Sequence, residues 1–176
     1  MKPHLSIREL REDEFASLGR LMVAVYSSLE GFPGPEEQPA YYEMLANIGT
    51  FTQRNDAKVL VALSAEDELV GGVVYFGDMS EYGSGGIATR TKNASGIRLL
   101  AIDQRFRGIG AGRALTEACI ALAAERGHSQ VILHTAHAMQ LAWQLYERIG
   151  FRRSGDLDFM QGELPVFGFR YALNNE

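Results

Sequence analysis

Residues 99–113 read LLAIDQRFRGIGAGR, and this stretch decides the fold. An apolar run is followed by a turn with glycine at positions 108, 110 and 112, and then by a long helical pattern. Glycines let a backbone approach a ligand closely, and the following helix directs unpaired N–H groups and its positive end at that ligand. The stretch therefore predicts an anion site, best suited to phosphates, between a strand and a helix.

Two common phosphate motifs are absent from this stretch. A dinucleotide-binding turn requires G-x-G-x-x-G, and Arg113 stands where the third glycine would fall. A P-loop requires glycine and lysine followed by serine or threonine, which is also missing. A glycine-rich turn without a ligand is disfavoured, because each glycine costs about 1 kcal/mol wherever it must be helical. Arg105, Arg107 and Arg113 add positive charge to an otherwise acidic chain and so favour an anion.

Composition and charge limit the class of protein. The 176 residues are 46% hydrophobic and 22% charged, which is typical of one folded domain over residues 1–176. The net charge of −5 argues against non-specific binding of nucleic acid or of anionic membranes. The first residues lack a basic start followed by an apolar region, and no apolar run approaches the ~20 residues of a membrane span. We therefore expect a cytoplasmic protein.

The single cysteine and a histidine pair predict neither redox nor metal chemistry. Cys119 lies in an apolar helical run, where we expect a small buried side chain. His134 and His137 flank the end of a predicted strand, but no third ligand is near them in the sequence. His134 is expected to be a core histidine, and no metal is expected.

Hydrophobic periodicity and turn residues predict the order β-α-α-β-β-β-α-β-α-β-β. The predicted strands cover residues 4–10, 58–63, 69–76, 97–102, 131–135, 151–154 and 166–173. The predicted helices cover residues 11–25, 36–47, 110–126 and 139–149, and the glycine-rich residues 77–95 are predicted to form a loop. Helices that interleave irregularly with strands predict an α+β fold with a mixed sheet and helices on its faces.

Two segments resemble the GCN5-related N-acetyltransferase (GNAT) superfamily. Residues 107–112, RGIGAG, match its R/Q-x-x-G-x-G/A signature after a strand ending Leu-Ala-Ile-Asp, which is similar to the family's Leu-Ala-Val-Asp-Pro. Residues 139–151, MQLAWQLYERIGF, resemble its Asn-x-x-Ala-x-x-Leu-Tyr-x-x-x-Gly-Phe segment. Gln104 stands where the family commonly has proline, and Met139 where it frequently has asparagine. The element order extends the resemblance to essentially the whole chain.

The resemblance implies a fold, a co-substrate and a set of site residues. The fold is that of acyl-CoA N-acyltransferases, in which the fourth and fifth strands splay apart, and the co-substrate is acetyl-CoA, with no metal. Leu100 and Ile102 would pair with the pantetheine arm, and an N–H near them would polarise the thioester carbonyl. The pyrophosphate would be held by the N–H groups of Arg107, Gly108, Ile109, Gly110, Ala111, Gly112 and Arg113. Tyr146 matches the general acid that protonates the departing thiolate; otherwise it is a core aromatic.

The implied reaction transfers an acetyl group to a primary amine, which we expect to belong to a small molecule. The alternatives are a protein or peptide amine, and a CoA-binding regulatory module without catalysis. Candidate bases for the amine proton are Glu30, Asp78, Glu81 and Tyr82, with a water chain as an equal alternative. The residues do not identify the acceptor, the oligomeric state, or whether the acyl group is strictly acetyl.

Acceptor specificity is expected in residues 26–39, 78–95 and 156–164. Their aromatic and acidic residues are Tyr26, Phe32, Glu36, Glu37, Glu81, Tyr82, Asp156 and Asp158. Acids near the site would suit a cationic amine acceptor, such as a polyamine, an aminoglycoside, an amino-acid amine or a peptide N-terminus. Homodimers are frequent in the family, and the alternating residues 166–173 are a candidate interface.

Overall fold

One sheet organises the fold in the computed structural model, which describes residues 4–173. The strands are β1 Ser6–Glu9, β2 Ala57–Leu63, β3 Leu69–Phe76, β4 Ala94–Ile102, β5 Gln130–Thr135, β6 Arg152–Arg153, β7 Phe159–Gln161 and β8 Leu164–Ala172. The α-helices are α1 Phe15–Ser27, α2 Pro39–Ala46, α3 Ala111–Glu125 and α4 Gln140–Ile149. The order across the sheet is β1-β2-β3-β4-β5-β8-β6, with β7 beside β8. Because β4 and β5 are parallel and their neighbours antiparallel, the predicted mixed sheet is confirmed.

Alternation along β2 divides the core into two layers, since successive side chains of a strand point to opposite faces. Val59 and Val61 belong to the layer under α1 and α2, which contribute the buried Leu18, Met22 and Leu45. Leu60 and Ala62 belong to the layer under α3 and α4, where Cys119 is buried as expected. The expectation of helices on both faces of the sheet is confirmed.

The strands β4 and β5 separate part-way along their length. Their parallel pairing runs from Ala94–Gln130 to Ile97–Leu133 and then stops, although both strands continue. β4 stays paired with β3 through a bulge in which Leu99 takes a φ of +61°. A bulge bends its strand, so β4 turns away from β5 at this point. The splayed strands that the resemblance implied are confirmed.

The sequence-based boundaries fail mainly in three places. The second helix begins at Pro39 rather than residue 36, because proline suits the first turn of a helix and no other part of it. β4 begins at Ala94, inside the predicted loop. Residues 159–161, for which no element was predicted, form β7, a hairpin with β8 through Gly162, whose φ is +62°.

The last strand has no free edge along most of its length. β8 pairs with β5 over residues 167–172 on one side, and with β6 and β7 on the other. A dimer formed by extending the sheet along this strand is therefore blocked. The homodimer itself stays a prediction.

Candidate active site

A cavity of about 520 Å³ occupies the gap between the diverging strands. Ile97, Arg98, Leu99 and Leu100 line it from β4, and residues 134–136 line it from β5 and beyond. Further walls come from α1, α2, α4, the loop at residues 82–85 and the β7–β8 hairpin. This volume and enclosure suit a small-molecule site.

Tyr146 lines this cavity from α4. The helix ends at Gly150, whose φ is +125°, and the amides of Gly150 and Phe151 both donate to the Tyr146 carbonyl, at 3.1 and 2.9 Å. The Tyr146 ring packs against Phe151 with centroids 5.8 Å apart. Local backbone geometry thus fixes the position of this phenol.

The Tyr146 phenol retains its proton at neutral pH. The residue is only 5% exposed, and burial raises the pKa of its hydroxyl above the ordinary value, with Tyr82 and Cys119 adding to the rise. Within residues 4–173 no group forms a hydrogen bond with this hydroxyl. The proton is therefore available to a group that enters the cavity.

The glycine turn is open on its outer side. Gly108 and Gly110 have φ values of +82° and +86°, and a Cβ at either position would meet nothing within 4 Å. The first amide of this segment bonded in the helical manner is that of Ala114, which donates to the Gly110 carbonyl at 3.0 Å. Among the described residues, the amides at positions 108–113 have no protein acceptor. They form the type of anion site that a helix N-terminus provides.

Two of the predicted cofactor-binding residues, Arg107 and Gly112, also make contacts within the protein. The Arg107 amide already donates to the Gln104 carbonyl at 3.4 Å, which closes a short turn. A Cβ at Gly112 would lie 3.1 Å from Leu145 Cδ2, so α3 packs closely on α4 at this glycine. Leu145 precedes Tyr146, and this contact ties the turn to the helix that carries the phenol.

The arginines of this stretch are not equivalent. The Arg113 guanidinium pairs with Glu117 at 2.7 Å and that of Arg105 with Asp103 at 3.1 Å. The Arg107 side chain is exposed and has no carboxylate partner within the part of the chain that the structure describes. Of the three, Arg107 is the cation left for an external anion.

The backbone of β4 offers polar groups to the gap. The Asp103 amide donates to the Val70 carbonyl at 2.8 Å, so alternation turns the N–H and C=O of Ile102 away from β3. The Leu100 carbonyl also points away from β3, since it accepts from the Tyr26 hydroxyl at 3.0 Å. Leu100 lines the cavity, whereas Ile102 lies beyond its edge. Because β5 has diverged, this side of β4 is free to pair with an extended ligand.

Of the four candidate bases, only Tyr82 lines the cavity. The Asp78 carboxylate accepts from the Ser80 amide at 3.0 Å and from Asn55 at 2.8 Å. These hydrogen bonds, the Ser80 side chain first, hold the Asp78 pKa below its usual value. Glu30 and Glu81 also lie outside the cavity lining.

A hydrogen-bonded chain connects Tyr82 to His134. The Tyr82 hydroxyl lies 2.9 Å from His134 Nδ1, and His134 Nε2 lies 2.9 Å from the Leu157 carbonyl. Because a carbonyl only accepts, Nε2 carries the proton and Nδ1 accepts from Tyr82. Burial lowers the pKa of His134, and the nearby charge of Arg98 lowers it further. His134 was expected in the core; in the structure it is a neutral imidazole on the cavity wall.

The predicted acceptor segments contribute aromatic residues to the cavity lining, but not their acidic residues. None of the residues that line the cavity is an aspartate or a glutamate. Asp156 pairs with Arg170 at 2.6 Å and Asp158 pairs with Arg153 at 2.9 Å, and neither lines the cavity. The lining instead includes Arg54 and Arg98, which the sequence analysis did not single out. The available signal was Arg98 itself, a charge inside the apolar run of β4.

Two further findings concern metal sites and membrane-spanning helices, within the residues that the structure describes. In residues 4–173, no group of three or more histidine, cysteine, aspartate or glutamate side chains is placed to hold a metal ion. No helix in the same range is long and apolar enough to cross a membrane.

A mixed sheet with a splayed parallel pair, a cavity in the splay and an amide-lined turn is the architecture of acyl-CoA N-acyltransferases. A family model described as the acetyltransferase (GNAT) family matches residues 22–151, and the chain belongs to this family. A GNAT-family acetyltransferase from Staphylococcus aureus Mu50 has a TM-score of 0.74 at 17% identity, over 97% of this chain and 99% of that one. The PaiA N-acetyltransferase of Thermoplasma acidophilum, solved with coenzyme A, has a TM-score of 0.72 at 14% identity, over 96% and 99%. At these identities the similarity shows the fold.

Similarity to curated relatives is confined to a segment. An N-acetylaspartate synthetase of Danio rerio is 36% identical over 66 residues, which is 38% of this chain and 23% of the relative. A mycothiol acetyltransferase of Thermobispora bispora is 42% identical over 57 residues, which is 32% of this chain and 19% of the relative. The matched segment thus spans less than a quarter of the length of either relative. Family and fold together support an acyltransferase enzyme.

Proposed function

We propose that the chain is an N-acetyltransferase that moves the acetyl group of acetyl-CoA to a primary amine of a small molecule. The observation that carries the proposal is the proton-bearing Tyr146 in the cavity, joined through Leu145 and Gly112 to a turn of unpaired amides. Coenzyme A fits the residues present: the amides at positions 108–113 suit a diphosphate, and the free side of β4 suits its extended arm.

The chain's own groups account for the movement of charge and protons. Acetyl-CoA supplies a thioester, and the amine nitrogen bonds to its acetyl carbon as the carbon–sulfur bond breaks. Tyr146 gives its proton to the departing thiolate. A backbone N–H of β4 near Leu100 and Ile102 donates to the carbonyl oxygen as negative charge develops there.

The amine must also lose a proton. Tyr82 and His134 form the candidate route within the cavity lining, because the Tyr82 oxygen can accept a proton while its own moves to Nδ1 of His134. Solvent is the alternative acceptor. Either route leaves the Tyr146 proton for the thiolate.

Walls on several sides of the cavity favour a small-molecule acceptor over a protein chain. The β7–β8 hairpin forms one wall, and Gln161 Nε2 donates to Gln38 Oε1 at 2.6 Å. This bond joins the hairpin to the residue before α2, near the cavity-lining Ala40. One relative is by name an N-acetylaspartate synthetase, whose product is a small N-acetylated molecule.

The proposal is tested with purified protein, acetyl-CoA and a panel of small amines, by following thiol release. Coenzyme A binding is measured separately by calorimetry. Turnover that depends on an amine supports the enzyme, and binding without turnover of any amine supports the regulatory module. Absence of coenzyme A binding would refute both. A cytoplasmic location stays a prediction.

A further inference from the structure

Two guanidinium groups converge at the loop that borders the cavity. A Cβ built at Gly83 would lie 3.2 Å from Arg98 Nη1 and 3.8 Å from Arg54 Nη1. Arg98 Nη1 donates to the Tyr82 carbonyl at 2.9 Å, and Arg54 Nη1 donates to the Glu81 carbonyl at 3.0 Å. Each guanidinium has several N–H groups, so most of their donors remain available.

Aromatic rings hold both groups in place. The Arg54 guanidinium lies 4.3 Å from the centre of the Phe51 ring, and that of Arg98 lies 5.9 Å from the centre of the Tyr82 ring. Phe51 and Tyr82 are fully buried. Two like charges are therefore fixed side by side on a rigid base.

Nothing negative in the described residues compensates these two charges. Of the 14 arginines, six pair with carboxylates in the described residues, and Arg54 and Arg98 are among the eight that do not; the paired ones are Arg8, Arg105, Arg113, Arg126, Arg153 and Arg170. Arg54 and Arg98 form no such pair in residues 4–173, although the full chain carries 22 acidic residues. Adjacent like charges repel, and an anion bound between them would relieve the repulsion through charge-assisted hydrogen bonds.

The arginine pair and the glycine turn lie on opposite faces of the sheet. Phe51 and Tyr82, which support the arginines, belong to the core layer under α1 and α2. Ile109 and Ala111 of the turn belong to the layer under α3 and α4. An anion at the arginines is therefore a different group from the diphosphate proposed at the turn.

The rest of the acceptor wall is aromatic. Tyr26, Phe32 and Tyr41 form a cluster with ring centroids 5.8 to 6.1 Å apart, and all three line the cavity. Such rings pack well against apolar or aromatic groups. The cavity thus offers both positive charge and aromatic rings to one ligand.

We propose that the acceptor is a free amino acid with an apolar or aromatic side chain, and that Arg54 and Arg98 bind its carboxylate. This inference rests on the proposed N-acetyltransferase function. It narrows the amines expected from the sequence, which included an amino-acid amine, to one that is carried beside a carboxylate.

The experiment compares three acceptors that share one side chain: phenylalanine, its amide, and phenethylamine, which lacks the carboxylate. We expect kcat/KM for phenylalanine to exceed kcat/KM for its amide and for phenethylamine by at least tenfold. Arg98→Gln and Arg54→Gln should each reduce this preference by at least tenfold, and Arg98→Lys should reduce it less. Arg90→Gln, at an exposed residue outside the cavity, removes the same charge and should keep the wild-type preference.

Each remaining outcome decides the matter. If the amide or phenethylamine is acetylated at least as fast as phenylalanine, the inference about the acceptor is overturned, while the proposed N-acetyltransferase function is retained. The inference is also overturned if Arg54→Gln or Arg98→Gln, with folding verified by its thermal transition, keeps the wild-type preference for phenylalanine. If Arg98→Gln fails to fold, Arg54→Gln and Arg98→Lys carry the comparison. Coenzyme A binding without turnover of any amine refutes the proposed function itself.

Discussion

The glycine turn and the arginine pair are both suited to anions, but they are built in opposite ways. The turn uses main-chain amides of six consecutive residues, 108–113, and keeps side chains away from its outer side. The pair uses side chains of Arg54 and Arg98, which come from different segments and meet only in the folded chain. The part of the site that binds the common donor is thus made of backbone, and the part that faces the variable acceptor is made of side chains.

This difference separates what the fold determines from what individual residues determine. Any chain with this turn and this splayed strand pair presents the same amides and the same strand edge. Acceptor choice depends on single side chains, which can change without disturbing the sheet. The acceptor is therefore inferred from charge and shape in the cavity, and the donor from the backbone.

The largest effect on activity is expected from a substitution of Tyr146, which lies between the glycine turn and the acceptor side of the cavity. Tyr146→Phe removes the proton donor and keeps the ring that packs on Phe151. We expect kcat to fall by ~10²–10⁴, the usual contribution of a positioned acid, with the dissociation constant for coenzyme A nearly unchanged. Steady-state kinetics and calorimetry on the same preparation measure both.

Tyr171→Phe is the matched control for that variant. Tyr171 packs on the other side of Phe151, with centroids 5.3 Å apart, and lies outside the cavity lining. Its loss of a hydroxyl should leave kcat within about twofold, as expected for a group remote from the reacting atoms. Equal losses in the two variants would show that Tyr146 acts only through packing.

The contrast between the two regions also explains how far the sequence was informative. The turn was predictable because its glycines, its arginines and the helix after them are neighbours in the chain. The strand gap followed from the resemblance, since the bulge at Leu99 has no local signal: leucine rarely takes a positive φ.

The acceptor side was not predictable in the same way. Asp156 and Asp158 were expected at the site because they lie in a segment near it, but Asp156 pairs with Arg170 of β8 and Asp158 pairs with Arg153 of β6. Arg54 lines the cavity with its guanidinium packed over the ring of Phe51, which lies in the turn after α2. These placements depend on tertiary packing, which hydrophobic periodicity does not encode. β7 was missed because three residues are too few for an alternation to be detected.

A smaller effect is expected where the turn needs a left-handed backbone. Gly110→Ala places a Cβ at a φ of +86°, which costs an L-residue roughly 1–2 kcal/mol even though no neighbour is within 4 Å. We expect the dissociation constant for coenzyme A to rise by up to about tenfold, since 1.4 kcal/mol corresponds to one factor of ten. Calorimetric titration with coenzyme A measures the change.

Gly155→Ala provides the comparison for the turn. Gly155 has an ordinary negative φ and equally open surroundings, so an added methyl group there tests crowding without strain. Its coenzyme A affinity should match that of the unsubstituted protein. Unchanged affinity in Gly110→Ala as well would mean that the turn does not hold the diphosphate.

On the acceptor side, His134 should make the free energy of unfolding of the protein depend on pH, whereas the residues of the turn should not. Burial lowers the pKa of His134 in the folded protein, so the unfolded chain binds the proton more tightly and stability falls as pH falls through about 6.5. In His134→Gln, the urea midpoint should change less between pH 7.5 and 5.5 than in the unsubstituted protein. His137→Gln, at an exposed histidine, should keep the original slope. Parallel slopes for all three proteins would contradict a buried neutral imidazole at position 134.

The smallest effect is expected at the carboxylates that lie near the cavity without lining it. Glu81 contributes its backbone carbonyl to Arg54, and this contact does not depend on its side chain. Glu81→Gln should therefore leave kcat/KM within about twofold at every pH, as for surface substitutions in general. A loss of a hundredfold at neutral pH would instead identify Glu81 as the base, and would move the proton route from the Tyr82–His134 chain to a residue outside the cavity lining. Because Glu81→Gln keeps the Arg54 anchor, such a loss could not be attributed to a displaced arginine.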